Sequence, residues 1–282
     1  MVRRIVITIF IALIFGWQLF HYAAHPNTLI TLDVGQGLSV LYTDPSGWQL
    51  LYDGGPGGVV GSALGTALPI WDRTIDVIAL SHPHADHSAG LVTVLDRYTV
   101  GAIWLSALAS TDEITGEILA RAQSKQIPVV VVSRGFTYLT PGGTTITALS
   151  PPSSFIDSPP PRAHATTPVL SITNSSTTIL LTGDLDPEDE DGLVAFCSIS
   201  QLCPSKVTVL QVAHHGSKYV TSTAFLNRFH PDIAIISAGT GNTYHHPHQE
   251  TLDRLASTNA TVMRTDILGS ITVRLDHLPL NE

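Results

Sequence analysis

Hydrophobic residues along this chain come in short bursts more often than in long stripes. Thr28–Val34, Leu38–Thr43 and Trp48–Asp53 are brief, rich in β-formers and separated by Gly or Pro turns, which predicts an antiparallel meander. Ile75–Leu80 is an apolar run broken only by Asp76, the pattern of a buried strand. A helix is expected after His87, to about Tyr98. A strand–helix–strand unit follows: Ala102–Leu105, Thr111–Gln126 with Ser110 or Thr111 as N-cap, and Val129–Val132. Strands return at Thr144–Leu149, Val169–Thr173 and Thr177–Leu181, with a Pro/Ser-rich loop, Pro151–Pro168, between the first two. The last third alternates. Helices are expected near Pro187–Phe196, Ser222–Phe229 and His248–Ser257, and strands at Val207–Val212, Asp232–Ser237, Thr261–Arg264 and Ser270–Leu275. Two halves, each running from strands to helices, fit an α/β fold of two sheets packed face to face with helices outside.

The first residues read differently. Arg3 and Arg4 precede a largely apolar run, Ile5–Phe20, interrupted by Thr8, Gly16 and Gln18. Two charges and then an apolar stretch have the form of a signal peptide or a signal anchor. Tyr22-Ala23-Ala24 is a poor cleavage triplet, so a retained anchor is expected, with the rest of the chain outside the membrane. A buried first helix is the other reading. The division is therefore residues 1–27 as membrane anchor or signal segment, and residues 28–282 as one large domain.

Composition narrows the partners. Of 282 residues, 44% are hydrophobic and 13% charged, an ordered globular balance. Arg3 and Arg4 lie before the first acid, Asp33, so the body carries 12 basic and 23 acidic side chains, a net of −11. That excludes a broad basic footprint for nucleic acid. Lys125, Lys206 and Lys218 are the chain's three lysines. Cys197 and Cys203 either pair in a small loop or stay as two partly buried thiols.

Histidine is the informative residue. Eight of thirteen fall in three short segments: His82, His84, His87; His214, His215; and His245, His246, His248. In His82-Pro83-His84-Ala85-Asp86-His87, residues two apart on an extended loop share a side. His82 and His84 can then bind one metal, while Asp86 and His87 reach a second as the chain turns into its helix. Imidazole and carboxylate suit Zn²⁺ or Mn²⁺. Thr182-Gly183-Asp184 ends an apolar strand in a carboxylate fit to bridge two metals. His214-His215-Gly216-Ser217-Lys218 adds paired histidines, a hydroxyl and a cation suited to phosphate. Tyr244-His245-His246-Pro247-His248 follows a further strand.

In this order, these segments resemble the metallo-β-lactamase superfamily. With Leu32-Asp33-Val34-Gly35-Gln36-Gly37, Asp53-Gly54-Gly55-Pro56 and Thr265-Asp266 before Gly269, they resemble more narrowly the C-terminal hydrolase domain of ComEC-type competence proteins, which take up DNA. The resemblance covers about residues 28 to 275. It implies the αβ/βα sandwich and a one- or two-metal site. The expected arrangement has His82, His84 and His214 around one metal, Asp86, His87 and a further His around the other, and Asp184 bridging. His215, Lys218 and His246 would hold the phosphate or protonate the leaving oxygen, with His246 also eligible as the last ligand. Asp53 and Asp33 would orient ligands or turns. Two departures stand out. The Asn-rich segment usual in the family is here Arg162-Ala163-His164-Ala165-Thr166-Thr167-Pro168, where His164 is either an extra ligand or a loop histidine. The large channel domain of ComEC-type proteins is replaced by one apolar run, so the chain is either an excised domain or a free-standing anchored relative served by a separate DNA channel protein. The leading expectation is an extracytoplasmic phosphodiesterase or nuclease for single-stranded DNA. Hydrolysis of another ester (a phosphocholine ester, lactone or β-lactam) and a non-catalytic metal-binding subunit are the alternatives.

Overall fold

The computed structural model describes residues 26–107, 112–175 and 177–277. The apolar run Ile5–Phe20, Ser110 and Thr111 lie outside them. Among the described residues no helix is long and apolar enough to cross a membrane.

The chain builds two sheets in succession. The first half runs β1 (Thr28–Thr31), β2 (Val40–Thr43), β3 (Gln49–Tyr52), α1 (Val59–Ala67), β4 (Thr74–Leu80), α2 (Ala85–Arg97), β5 (Thr99–Leu105), α3 (Glu113–Ser124) and β6 (Val129–Val131). The second runs β7 (Thr137–Leu139), β8 (Thr145–Ala148), β9 (Leu170–Thr173), β10 (Thr178–Leu181), α4 (Pro187–Ile199), β11 (Val209–Gln211), α5 (Thr223–Phe229), β12 (Ile233–Ile236), α6 (Gln249–Ala256), β13 (Thr261–Arg264), α7 (Thr265–Leu268) and β14 (Ile271–Arg274). One sheet has the order β14-β1-β2-β3-β4-β5-β6, the other β13-β12-β11-β10-β9-β8-β7. In both, an antiparallel meander passes into parallel strands joined by helices. The last strand returns to the first sheet, pairing Thr28 with Arg274.

Alternation along the strands sorts side chains into three cores. Leu29, Val40, Tyr42, Val77 and Trp104 face Ile146, Leu170, Ile179 and Val209 between the sheets. Leu41, Leu51 and Ile78, on the opposite face, meet Val60, Leu64, Leu91 and Ile118 of the helices. Leu180, Leu210 and Ile236 meet Leu193, Phe225 and Leu255 on the other side. The result is the expected sandwich, helices outside two mixed sheets.

Several details differ from the sequence reading. Asp112, rather than Ser110 or Thr111, caps α3, accepting from the Thr115 N–H at 2.7 Å. Helix α1 and strand β7 were not expected. Cys197 and Cys203 form a disulfide across the end of α4, with Cα atoms 5.3 Å apart.

Candidate metal centre

The His82-Pro83-His84-Ala85-Asp86-His87, Thr182-Gly183-Asp184 and His214-His215 segments each start where a strand ends. β4 runs into Ser81 and His82. His84 stands at the N-cap of α2 with extended backbone, which puts Asp86 and His87 in the helix's first turn. That turn is clamped from below. Gly54 N donates to the His87 carbonyl (2.7 Å), Gly90 N to the Gly55 carbonyl (2.9 Å) and Leu38 N to the Asp86 carbonyl (3.1 Å). A β-carbon at Gly90 would fall on the Gly54 carbonyl oxygen, so glycine is required for this approach.

β10 delivers Asp184. Its approach is fixed by Gln211, whose Oε1 accepts from both Thr182 N and Gly183 N at 2.8 Å. β11 leads into a turn in which His214 (φ 50°) and His215 (φ 55°) both take left-handed backbone, a costly conformation for histidine that aims two rings inward. His164 comes from a short turn before β9.

Second partners set which ring nitrogen faces the site. Asp53, buried, takes the His87 Nδ1–H at 2.7 Å and is itself held by Ser81 N and Oγ. His215 Nδ1–H donates to the Ser237 carbonyl at 2.9 Å. His164 Nδ1–H donates to Asp186 at 3.0 Å. Each therefore presents Nε2. Around one point, His87 Nε2 lies 3.3 Å from His215 Nε2 and 3.3 Å from Asp184 Oδ2. His215 Nε2 lies 3.4 Å from both Asp184 Oδ2 and Asp86 Oδ2, and His87 Nε2 lies 3.8 Å from Asp86 Oδ2. A tetrahedral ion with bonds of about 2.0–2.1 Å separates its ligands by about 3.3–3.4 Å. Four of these five edges have that length. Beside this group, His164 Nε2 meets His84 Nδ1 at 3.1 Å, and the ligand atoms of His82, His84 and His164 all lie within 4.8 Å of one another. Among the described residues His82 Nε2 and Asp184 Oδ1 are buried with no hydrogen-bond partner, as atoms reserved for a cation would be.

Charge distribution agrees. Burial pulls His82, His84 and His214 below the usual histidine value, so they are neutral donors of a lone pair at pH 7. Burial also works against a charged His215, yet Asp184 and Asp86 hold it up at about 9. Burial opposes ionised Asp184 too, and His215 with His87 keeps it well below the carboxylate range. The carboxylates thus demand positive charge at their centre.

The structure brings His84, Asp86, Asp184, His214, His215 and His246 around a cleft of about 240 Å³, with His82 and His87 buried directly behind it. His215 sits inside the Asp86–His87 group, where a further histidine was expected. His164 sits beside His82 and His84, while His214 reaches Asp184 Oδ2 at 3.7 Å and, among the described residues, no hydrogen bond anchors its ring. Lys218 is exposed and turned over the Tyr219 ring, outside the cleft lining. Asp33 braces a turn by accepting from Gly35 N. Gln211 and Ser237 escaped the sequence reading, since a buried amide in a strand and a serine at a strand end carry no motif.

Fold and cluster together define a two-sheet sandwich with a metal-ligand cluster along one edge. Residues 32–240 match the metallo-beta-lactamase superfamily, and the chain belongs to it. It is 30% identical over 274 residues to Recombination protein 2 of Haemophilus influenzae, covering 93% of this chain and 31% of that protein. It is also 30% identical over 204 residues to ComE operon protein 3 of Bacillus subtilis, covering 72% of this chain and 25% of that protein. The resemblance to competence proteins therefore holds, and the chain spans about a quarter to a third of these relatives' length. In fold it is similar to Igni18, a metallo hydrolase from Ignicoccus hospitalis, with a TM-score of 0.57, 11% identity, and coverage of 87% of this chain and 98% of that one.

Proposed function

We propose that this chain is a two-metal phosphodiesterase of the ComEC type that cuts single-stranded DNA outside the cytoplasmic membrane. The observation that carries the reading is the set of tetrahedral edges among His87, His215, Asp184 and Asp86 next to the His82–His84–His164 group. In this reading His82, His84 and His164 would hold one Zn²⁺ or Mn²⁺, Asp86, His87 and His215 would hold the other, and Asp184, beside both groups, would serve the pair. When bound, such a pair supplies Lewis acidity and brings a water's pKa to about 7. Asp53, Ser237 and Asp186 keep the ligand rings turned inward. His246 is held down at about 4 by burial and by His215, so at pH 7 its ring is neutral and offers a lone pair rather than an extra proton. With Lys218 turned away, the substrate's charge would fall to the metals, and His214, neutral at pH 7, would offer it at most a hydrogen bond.

DNA is favoured by the likeness to proteins named for competence and recombination. A single strand is favoured by the acidic body, which offers a duplex no footprint. The location rests on Arg3 and Arg4 before the apolar run and on the Cys197–Cys203 disulfide, which belongs in an oxidising compartment.

The test is to load the purified chain with Mn²⁺ or Zn²⁺ and offer a labelled single strand, a duplex and bis-p-nitrophenyl phosphate. Cleavage is expected, with the single strand preferred. Asp184→Ala should lose more than the roughly 10–100-fold that removal of a supporting residue costs. No phosphodiester cleavage, or an Asp184→Ala chain as active as the parent, overturns the reading in favour of another ester or a non-catalytic role.

A further inference from the structure

Beyond the end of α1 the outer face of the first sheet holds a groove of about 520 Å³. Ile30 and Leu41 line it from the sheet, and Leu68, Pro69 and Trp71 from the segment after α1. Ile70 and Trp71 stand out from this segment at 79% and 72% exposure. Neighbouring residues carrying that much apolar surface into water mark a contact surface. The nearest acid, Asp72, accepts hydrogen bonds from Gln49 Nε2 at 2.7 Å and Thr74 N at 3.2 Å, which hold its carboxylate against the sheet.

Two further observations indicate what covers the groove. Pro26, the first described residue, lines it, so the preceding chain leaves from this face. Only His21–His25 separate Pro26 from Phe20, the end of the apolar run. Extended chain spans at most about 3.6 Å per residue, which keeps that end within roughly 20 Å of the groove. The groove also lies at the opposite strand ends from the metal-ligand cluster. It is lined by Thr28, Thr43 and Gln49, whereas the other ends of β1 and β3 lead to Gln36 and Asp53 at the site.

We propose that this face rests on the lipid bilayer, with Ile70 and Trp71 entering the headgroup–acyl boundary and the groove seated on lipid. An indole and a branched aliphatic side chain suit that depth. The arrangement turns the metal-ligand edge away from the membrane. It rests on the reading of Ile5–Phe20 as an anchor and is independent of the substrate.

Full-length chain reconstituted in phosphatidylcholine–phosphatidylglycerol vesicles tests it. Trp17 lies in the apolar run, so a Trp17→Phe background is used; Trp48 and Trp104 are sealed in the inter-sheet core. Lipids brominated near the top of the acyl chain should quench this variant's emission. Trp17→Phe/Trp71→Phe should lose that quenching while keeping its circular dichroism. Flotation with vesicles but no bromolipid quenching of Trp71 overturns the proposal alone. In that case, protection of Trp71 from acrylamide would mean that the chain's own first residues, or another protein, fill the groove, and full acrylamide access would mean that nothing does. Failure to float with vesicles overturns the anchor expectation and this proposal together.

Discussion

Asp53 illustrates how much of the site depends on residues that touch no substrate. It is fully buried at positive φ and takes hydrogen bonds from His87 Nδ1, Ser81 N and Ser81 Oγ. Asp53→Ala removes what orients His87, and metal affinity is expected to fall about 10–100-fold in a competition titration with a chelating dye. His164 and His214 can be separated in the same way. His164 is braced by Asp186 and faces His84, whereas His214, 3.7 Å from Asp184 and also within 4.8 Å of His164, has no hydrogen bond on its ring among the described residues. His164→Ala should therefore drop the bound metal from two ions per chain towards one, and His214→Ala should keep two, read by elemental analysis after gel filtration. Equal losses in both variants would return His214 to the ligand set.

The elements carry their own titration. Asp44, at the end of β2, is buried and accepts from Ser46 N, Trp48 N, Gly142 N and Thr140 Oγ1. It ties the first sheet's turn to the β7–β8 turn of the second. Burial works against its charge, but Ser46 and Thr140 outweigh that and depress its pKa. A carboxylate depressed by folding adds stability above its unfolded value, about 3.9, and loses it as pH falls through the lower folded value. Asp44→Asn is expected to cost on the order of 1–3 kcal/mol at pH 7, with the gap closing below about pH 4 in urea titrations. A gap that stays constant with pH would remove the charge from the account. Strands and helices with strong patterns were legible in the sequence because periodicity and turn residues agree along them. β4, β10 and α5 are examples. α1 was not, since Gly57-Gly58-Val59-Val60-Gly61 reads as a loop and only the burial of Val60 and Leu64, one turn apart, makes a helix of it. β7 escaped because a three-residue edge strand with two exposed positions carries no alternation signal. At the site, the ligand motifs were plain, but their pairing was not. His164 sits in a Pro-rich loop, and only the packing of β9 beside β10 carries it to His84.

For the molecule as a whole, the ligand set straddles the sandwich. His82, His84, Asp86 and His87 follow β4 of one sheet, and His164, Asp184 and His215 belong to the other. A metal bound there would brace the two sheets against each other. A ligand that binds only the folded chain adds about 2.7 kcal/mol at 100 times its dissociation constant. EDTA should lower the melting temperature by several degrees, and added Zn²⁺ or Mn²⁺ should raise it in a concentration-dependent way, as followed by calorimetry. An unchanged midpoint would mean that the cluster holds no ion. The same straddling has a consequence in time. A chain made from its N-terminus exposes the His82–His87 loop well before Asp184 and His215 exist. That loop alone can grip an ion but cannot choose one, because selection among divalent metals depends on the full geometry of the site. Choice would begin only when the second sheet closes on the first, so the finished site would select from the ions present where folding ends.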